Sequence, residues 1–130
     1  MGLRVLVVED NQLVTDAMAV LLEAHGHAVA TAASLADAVA HCRAGRPELV
    51  LLDLTLPDGH GLRLFDLLAE ADTPPATVAL TGHDDHETRA RCLAAGCRDV
   101  LVKPVPTREL VARLRAWEIE LRADAQPPTG

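Results

Sequence analysis

Residues 50–61, VLLDLTLPDGHG, place an aspartate inside a strongly apolar run. Five of the first seven residues are aliphatic, which predicts that the segment is buried. A lone carboxylate buried in such a run is costly unless it is paired or bound to a metal. The stretch therefore raises the question of whether Asp53 meets a charged side chain or a metal ion.

The composition indicates one globular domain without a basic surface. Hydrophobic residues make up 49% of the 130 residues, and the mean hydropathy of +0.15 favours a packed core over disorder. Acidic residues outnumber basic ones by 19 to 12, and the net charge of −7 argues against direct binding of nucleic acid. The apolar runs are too short to span a bilayer and no signal-peptide pattern opens the chain, so a cytoplasmic protein is expected.

Cysteine and histidine spacing gives no sign of a disulfide framework or a zinc site. The three cysteines include no CxxC pair, and the six histidines include no HExxH pattern. Both sets are interpreted as structural or surface residues.

Short apolar runs alternate with segments of helical periodicity along most of the chain. Strands are predicted over residues 3–8, 28–32, 48–52, 76–80 and 100–102, and helices over residues 11–25, 34–45, 61–71, 85–95 and 107–123. Apolar strands separated by helices predict an α/β fold with a five-stranded parallel sheet that is covered on both faces. Residues 1–123 form the predicted domain, and residues 124–130, DAQPPTG, are expected to be a flexible tail or the start of a linker.

Polar residues stand at the exits of four predicted strands: Glu9, Asp10, Asp53, Thr81 and Lys103. In a doubly wound sheet ligands bind at the carboxyl ends of the strands, so these residues are expected to meet there. Three carboxylates at close range need a cation, and oxygen ligands of this kind suit Mg²⁺. A carboxylate held between Mg²⁺ and a lysine is ionised and placed to attack a phosphoryl donor.

Each of these residues also has a plainer interpretation when it is taken alone. Asp10 could cap a helix, and Asp53 could begin a turn with Pro57 and Asp58. Thr81 and Lys103 could simply be solvated. Their convergence at one edge of the sheet favours the joint interpretation as a phosphoryl-transfer site.

Four segments in order resemble the receiver domain of two-component response regulators. They are VLVVEDN at 5–11, LLDLTLPDGHG at 51–61, ALTGH at 79–83 and AAGCRDVLVKP at 94–104. The resemblance covers residues 3 to about 122. It implies a flavodoxin-like, doubly wound fold with strand order 2-1-3-4-5 and five helices, similar to that of chemotaxis receivers.

The resemblance also implies roles for the strand-exit residues. Asp53 would accept a phosphoryl group from a phosphohistidine on a sensor kinase, or from a small phosphodonor. Asp10, Asp53 and the backbone carbonyl of Thr55 would bind Mg²⁺ directly, and Glu9 would act largely through water. The phosphorylated state would then change which partners the domain binds.

Further roles follow for the residues that flank the acceptor. Thr81 would move toward the phosphoryl oxygens, Lys103 would pair with them, and the bond from Lys103 to Pro104 would be cis. Thr55 and His83, each two residues beyond a site residue, would tune the lifetime of the phosphoryl group.

Position 100 departs from the family pattern. Receivers often carry Tyr or Phe three residues before the lysine, whereas this chain has Val100. A smaller or differently routed change is therefore predicted on the surface of the fourth helix, fifth strand and fifth helix.

The implied partners are a sensor histidine kinase or phosphotransfer protein, and an output domain or effector. Homodimerisation through the fourth-helix to fifth-helix face is a further expectation. The domain would catalyse only its own phosphorylation and dephosphorylation, and it would not be an enzyme acting on a separate substrate.

Three other hypotheses for the function of the chain stay open at this point. A haloacid-dehalogenase-like phosphatase would carry a second aspartate where this chain has Thr55, and it would need room for a cap domain. A flavodoxin-like FMN protein would need a phosphate loop where residues 8–12, VEDNQ, are acidic, and it would need aromatic residues, which make up only 2% of the chain. A pseudo-receiver that only binds partners is disfavoured by the complete acidic and lysine set.

Overall fold

The computed structural model describes residues 2–69 and 75–125, and within them a five-stranded parallel sheet is covered by five helices. The strands are β1 (Arg4–Val8), β2 (Ala28–Ala32), β3 (Leu49–Asp53), β4 (Ala76–Thr81) and β5 (Asp99–Val102). The helices are α1 (Gln12–Ala24), α2 (Leu35–Gly45), α3 (Arg63–Leu67), α4 (His86–Ala95) and α5 (Thr107–Ala125). The strand order β2-β1-β3-β4-β5 confirms the predicted doubly wound fold.

Alternate residues of the central strands point to opposite faces of the sheet, because successive side chains in a strand alternate. On β3, Leu49 and Leu51 pack in one apolar cluster with Trp117 of α5. Val50 and Leu52 pack in a second cluster on the other face, together with residues of α2 and α3. This double burial explains why the central strands are apolar at almost every position.

Side-chain caps fix where three of the helices begin. Asn11 caps α1 by accepting hydrogen bonds from the backbone N–H groups of Leu13 and Val14. Ser34 caps α2, and Asp85 caps α4. The three cysteines are all buried, which agrees with a structural role.

The segment after β3 differs from the prediction. A short hairpin pairs Thr55–Leu56 with Gly59–His60, and α3 spans only Arg63–Leu67 instead of residues 61–71. The helix starts late because the backbone N–H of Gly61 donates to the carbonyl of Leu54, 2.8 Å away, which ties this residue to the end of β3. The predicted end at Ala71 lies outside the described residues.

The end of the last helix and the exposure of one residue of α1 also differ from the prediction. The last helix runs to Ala125, two residues beyond the prediction, and residues 126–130 lie outside the described part. Leu13 recurs with Ala17 and Leu21 at helical spacing, which predicts the apolar face of α1, but it is 81% exposed. No described helix combines the length and hydropathy that crossing a membrane requires.

Candidate functional site

The exits of four neighbouring strands bring together the polar residues that the sequence singles out. Glu9 and Asp10 follow β1, Asp53 and Thr81 end β3 and β4, and Lys103 follows β5. Because β1, β3, β4 and β5 are consecutive in a parallel sheet, these residues meet at one edge. All five line a single open cavity of about 620 Å³.

Lys103 joins two of the carboxylates. Its Nζ lies 2.8 Å from Glu9 Oε1 and 3.1 Å from Asp53 Oδ2. Glu9 and Asp53 are only 4% and 8% exposed, so the ammonium group supplies the countercharge that their burial requires. The backbone N–H of Lys103 donates to the carbonyl of Thr81, which fixes the lysine beside β4.

The two buried carboxylates differ in their ease of ionisation. Burial, assisted by the hydrogen bond and the charge of Asp53, raises the pKa of Glu9 to about 6. Burial also opposes the ionisation of Asp53, but hydrogen bonds from Glu9, the Thr55 N–H and Lys103 outweigh it and hold the pKa of Asp53 below its usual range. Asp53 is therefore the more readily ionised of the two carboxyl groups, which suits a nucleophile.

The donor set fits a hard divalent cation. One carboxylate oxygen from each of Glu9, Asp10 and Asp53 lies within 4.8 Å of the others. Asp10 is not the cap of α1, since Asn11 takes that role, and within residues 2–69 and 75–125 its carboxylate accepts no hydrogen bond. A carboxylate left without a partner beside two others is suited to a metal ligand, and oxygen-only donors match Mg²⁺.

Thr81 keeps its hydroxyl proton available. Its side chain is buried, and its Oγ1 accepts the backbone N–H of His83 at 3.1 Å. Since the oxygen is the acceptor in this contact, the O–H group remains free to donate to an anion in the cavity. His83 is exposed and also lines the cavity.

The loop after β3 is held tightly against the strand. The backbone N–H of Thr55 donates to Asp53 Oδ1 at 3.2 Å, which orients the carboxylate. A Cβ atom at Gly61 would collide with the backbone carbonyl oxygen of Asp53, so only glycine fits at this close approach.

Asp58, in the turn of the hairpin, has a role that the sequence does not reveal. Its two carboxylate oxygens accept the backbone N–H groups of Leu35 and Ala36, at 2.8 and 3.1 Å. Asp58 therefore ties the hairpin to the start of α2. No local spacing links residue 58 to residue 35, so sequence periodicity offers no signal for this contact.

Val100 is buried in a small apolar cluster. It is 3% exposed and packs with Leu54, Ala79, Cys92 and Cys97. The aromatic ring beside this cluster comes from Phe65 of α3, which is half-buried. The peptide bond between Lys103 and Pro104 is cis, as the resemblance implies.

The cavity lining also includes a histidine and an arginine that the strand-exit pattern does not predict. His60 of the hairpin and Arg91 of α4 both face the space that contains Asp53. Neither follows an apolar strand, so the reasoning from strand exits could not find them.

Comparison with known proteins places the chain among signalling domains. Residues 5–115 match the family described as the response regulator receiver domain. The chain is 38% identical over 118 residues to the phosphate regulon transcriptional regulatory protein PhoB of Klebsiella pneumoniae, covering 89% of this chain and 52% of that protein. It is 32% identical over 114 residues to the virulence transcriptional regulatory protein PhoP of Salmonella typhimurium, covering 88% and 51%. The chain thus spans about half the length of these relatives.

Solved structures share the fold. A CheY-like response regulator receiver domain protein from Methanospirillum hungatei has a TM-score of 0.87 and 26% identity, covering 96% of this chain and all of that one (100%). The chemotaxis response regulator CheY4 of Vibrio cholerae has a TM-score of 0.83 and 23% identity, covering 89% of this chain and 98% of that one.

Proposed function

The chain belongs to the family of response regulator receiver domains, and on that premise we propose that Asp53 is the residue that accepts the phosphoryl group. The observation that carries the proposal is the contact of 3.1 Å between Asp53 Oδ2 and Lys103 Nζ. It keeps a buried carboxylate ionised at the open edge of the sheet, where a phosphodonor can reach it.

The chemistry is an in-line displacement at phosphorus. An oxygen of Asp53 forms the new bond, and the bond from phosphorus to the donor atom breaks, with the electron pair leaving on the donor. Lys103 stays beside the transferred oxygens, and the free hydroxyl of Thr81 donates to one of them. Mg²⁺ would neutralise charge on those oxygens. It would be held by Asp10, Asp53 and the carbonyl of Thr55, and Glu9 would act largely through water.

The domain acts in this proposal as a switch and not as an enzyme with a separate substrate. Its phosphoryl donor is a phosphohistidine protein or a small phosphodonor in the cytoplasm, and an output domain or effector reads the modified state. Thr55 and His83 flank the acceptor and tune how long the modification lasts. The face of α4 and α5 is the proposed surface for homodimerisation.

A groove next to the site supports a protein donor. It lies between α1 and the loop after β5, and Leu13, Met18, Pro104 and Val105 are among its apolar lining residues. Lys103 lines both this groove and the acceptor cavity, so a partner helix seated here would lie beside Asp53. The exposure of Leu13 is consistent with a surface that a partner covers.

Intact-mass spectrometry tests the proposal. Incubation with acetyl phosphate and Mg²⁺ is expected to add one phosphoryl group to the protein and none to an Asp53→Asn variant. An equal gain of mass in that variant would rule out Asp53 as the acceptor.

A further inference from the structure

The acceptor cavity continues into a second cavity of different charge. His60 and Arg91 line both the cavity that contains Asp53 and a neighbouring one of about 330 Å³ between α3 and α4. Among residues 2–69 and 75–125, the other charged residues of the second cavity are Arg63 and Asp66. The two spaces therefore share a wall that carries a guanidinium group and an imidazole.

The lining of the second cavity is positively charged, whereas the chain as a whole is negatively charged. The chain carries a net charge of −7, whereas the charged lining of the second cavity is two arginines against one aspartate. An excess of positive charge in a cavity raises the local concentration of anions. The site beside the acceptor therefore favours an anion.

In the part of the chain that the structure describes, both shared side chains keep N–H groups that can donate to a ligand. The ion pair of Arg91 within its own helix is with Glu87 at 3.7 Å, and both side chains are largely exposed, so the pair holds the guanidinium weakly. His60 Nδ1 accepts the backbone N–H of Leu62 at 3.2 Å, which places the proton of the neutral ring on Nε2. Each residue thus offers an N–H group to a ligand.

We propose that Arg91 and His60 bind the carboxylate leaving group of a small acyl phosphate while Asp53 takes its phosphoryl group. The inference rests on the proposed function of Asp53. As the new bond from Asp53 to phosphorus forms, the bond from phosphorus to the acyl oxygen breaks, and the carboxylate leaves with the electron pair without any proton transfer. Negative charge develops on that carboxylate, and the planar fork of an arginine matches its two oxygens.

A phosphoramidate donor distinguishes binding of the carboxylate leaving group from an effect of the substitution on phosphorylation by any donor. Its phosphorus–nitrogen bond breaks with a proton passing to nitrogen, so the leaving group is ammonia and no carboxylate forms. Arg91 has nothing to stabilise on that leaving group, although every residue that contacts the phosphoryl group acts as before.

The experiment measures the phosphorylation rate by intact mass, with Mg²⁺ and each of the two donors, at low and at high salt. At low salt, Arg91→Gln is expected to slow the reaction with acetyl phosphate by about fivefold, the size expected for one partly exposed charge near a developing charge. The rate with phosphoramidate should stay within about twofold of the wild type, and high salt should remove most of the difference between donors. Arg89→Gln is the matched control, since Arg89 makes the same charge change on α4 and lines neither cavity.

Three results would overturn the inference. In the first, Arg91→Gln leaves the phosphorylation rates with both donors unchanged. In the second, it lowers both rates equally. In the third, Arg89→Gln has the same effect as Arg91→Gln. A wild-type protein that gains no mass from either donor would instead overturn the proposed function, and the leaving-group site with it.

Discussion

Lys103 Nζ lies 3.1 Å from Asp53 Oδ2, although the two residues come from the exits of different strands. This contact gives the aspartate of the apolar run its countercharge, without which burial would be costly. Lys103 also reaches Glu9 at 2.8 Å, so one ammonium group balances two buried carboxylates. The exposed carboxylate of Asp10 lies beside them without a hydrogen bond from the described residues, and it is the group most available to a metal.

Replacing Asp10 by asparagine is expected to weaken Mg²⁺ binding without destabilising the metal-free protein. The variant removes one of three crowded negative charges, so the free energy of unfolding without metal should stay equal or rise. In thermal unfolding, Mg²⁺ should raise the Tm of the wild type and leave that of Asp10→Asn almost unchanged. Asp16→Asn, on the exposed face of α1, is the control and should respond to Mg²⁺ like the wild type. An equal rise in Tm for Asp10→Asn would contradict the assignment of this ligand.

Gly61→Ala is expected to destabilise the protein by about 1–3 kcal/mol, the usual cost of forcing extra atoms into a packed site. The added Cβ would collide with the carbonyl oxygen of Asp53 and push the loop away from β3. Gly45→Ala is the control, because a Cβ there meets nothing within 4 Å. Urea unfolding compares the two variants, and equal free energies of unfolding would show that the loop relaxes freely around residue 61.

The cap that Asp58 provides to α2 predicts a pH-dependent loss of stability. Backbone hydrogen bonds from Leu35 and Ala36 hold the pKa of Asp58 below its usual range. The unfolded chain therefore binds this proton more readily, so the contribution is present above the ordinary aspartate pKa and is lost as pH falls through the folded value. Asp58→Ala should lower the free energy of unfolding at neutral pH, and the difference from the wild type should shrink in acid.

Ser34→Ala is the matched control for that experiment. Ser34 caps the same helix through the N–H of Asp37, and its hydroxyl carries no charge. Its cost, about 1 kcal/mol for a cap of this kind, should not depend on pH. A cost of Asp58→Ala that stays constant from neutral to acid pH would show that its charge does not matter.

The strand-exit residues could be predicted from sequence because each one ends or follows its own apolar strand. Parallel strands deliver their carboxyl ends to one edge, so the positions of Asp53 and Lys103 along the chain were enough to bring them together. The contact of Asp58 with α2 and the position of Arg91 in the wall of the acceptor cavity were not predictable. Both depend on where a loop and a helix lie in space, and neither leaves a period or a spacing in the sequence.

Val100 predicts an unusual response to phosphorylation. It is buried in an apolar cluster with Leu54 and Ala79, and no aromatic ring at this position can change rotamer when Thr81 moves. Backbone NMR shifts with and without a phosphoryl mimic are expected to be small or confined to part of the surface of α4, β5 and α5. Large shifts throughout that surface would show that the signal passes without the aromatic residue.

The most direct test of the central claim identifies the modified residue chemically. Borohydride reduces an acyl phosphate to an alcohol and leaves ordinary carboxylates intact, so the protein is treated with acetyl phosphate and Mg²⁺, reduced, and fragmented in the mass spectrometer. Residue 53 is expected to become homoserine, and Glu9 and Asp10 are expected to stay unchanged. Reduction at Glu9 or Asp10, or at no residue in a protein that has gained a phosphoryl group, would contradict the central claim.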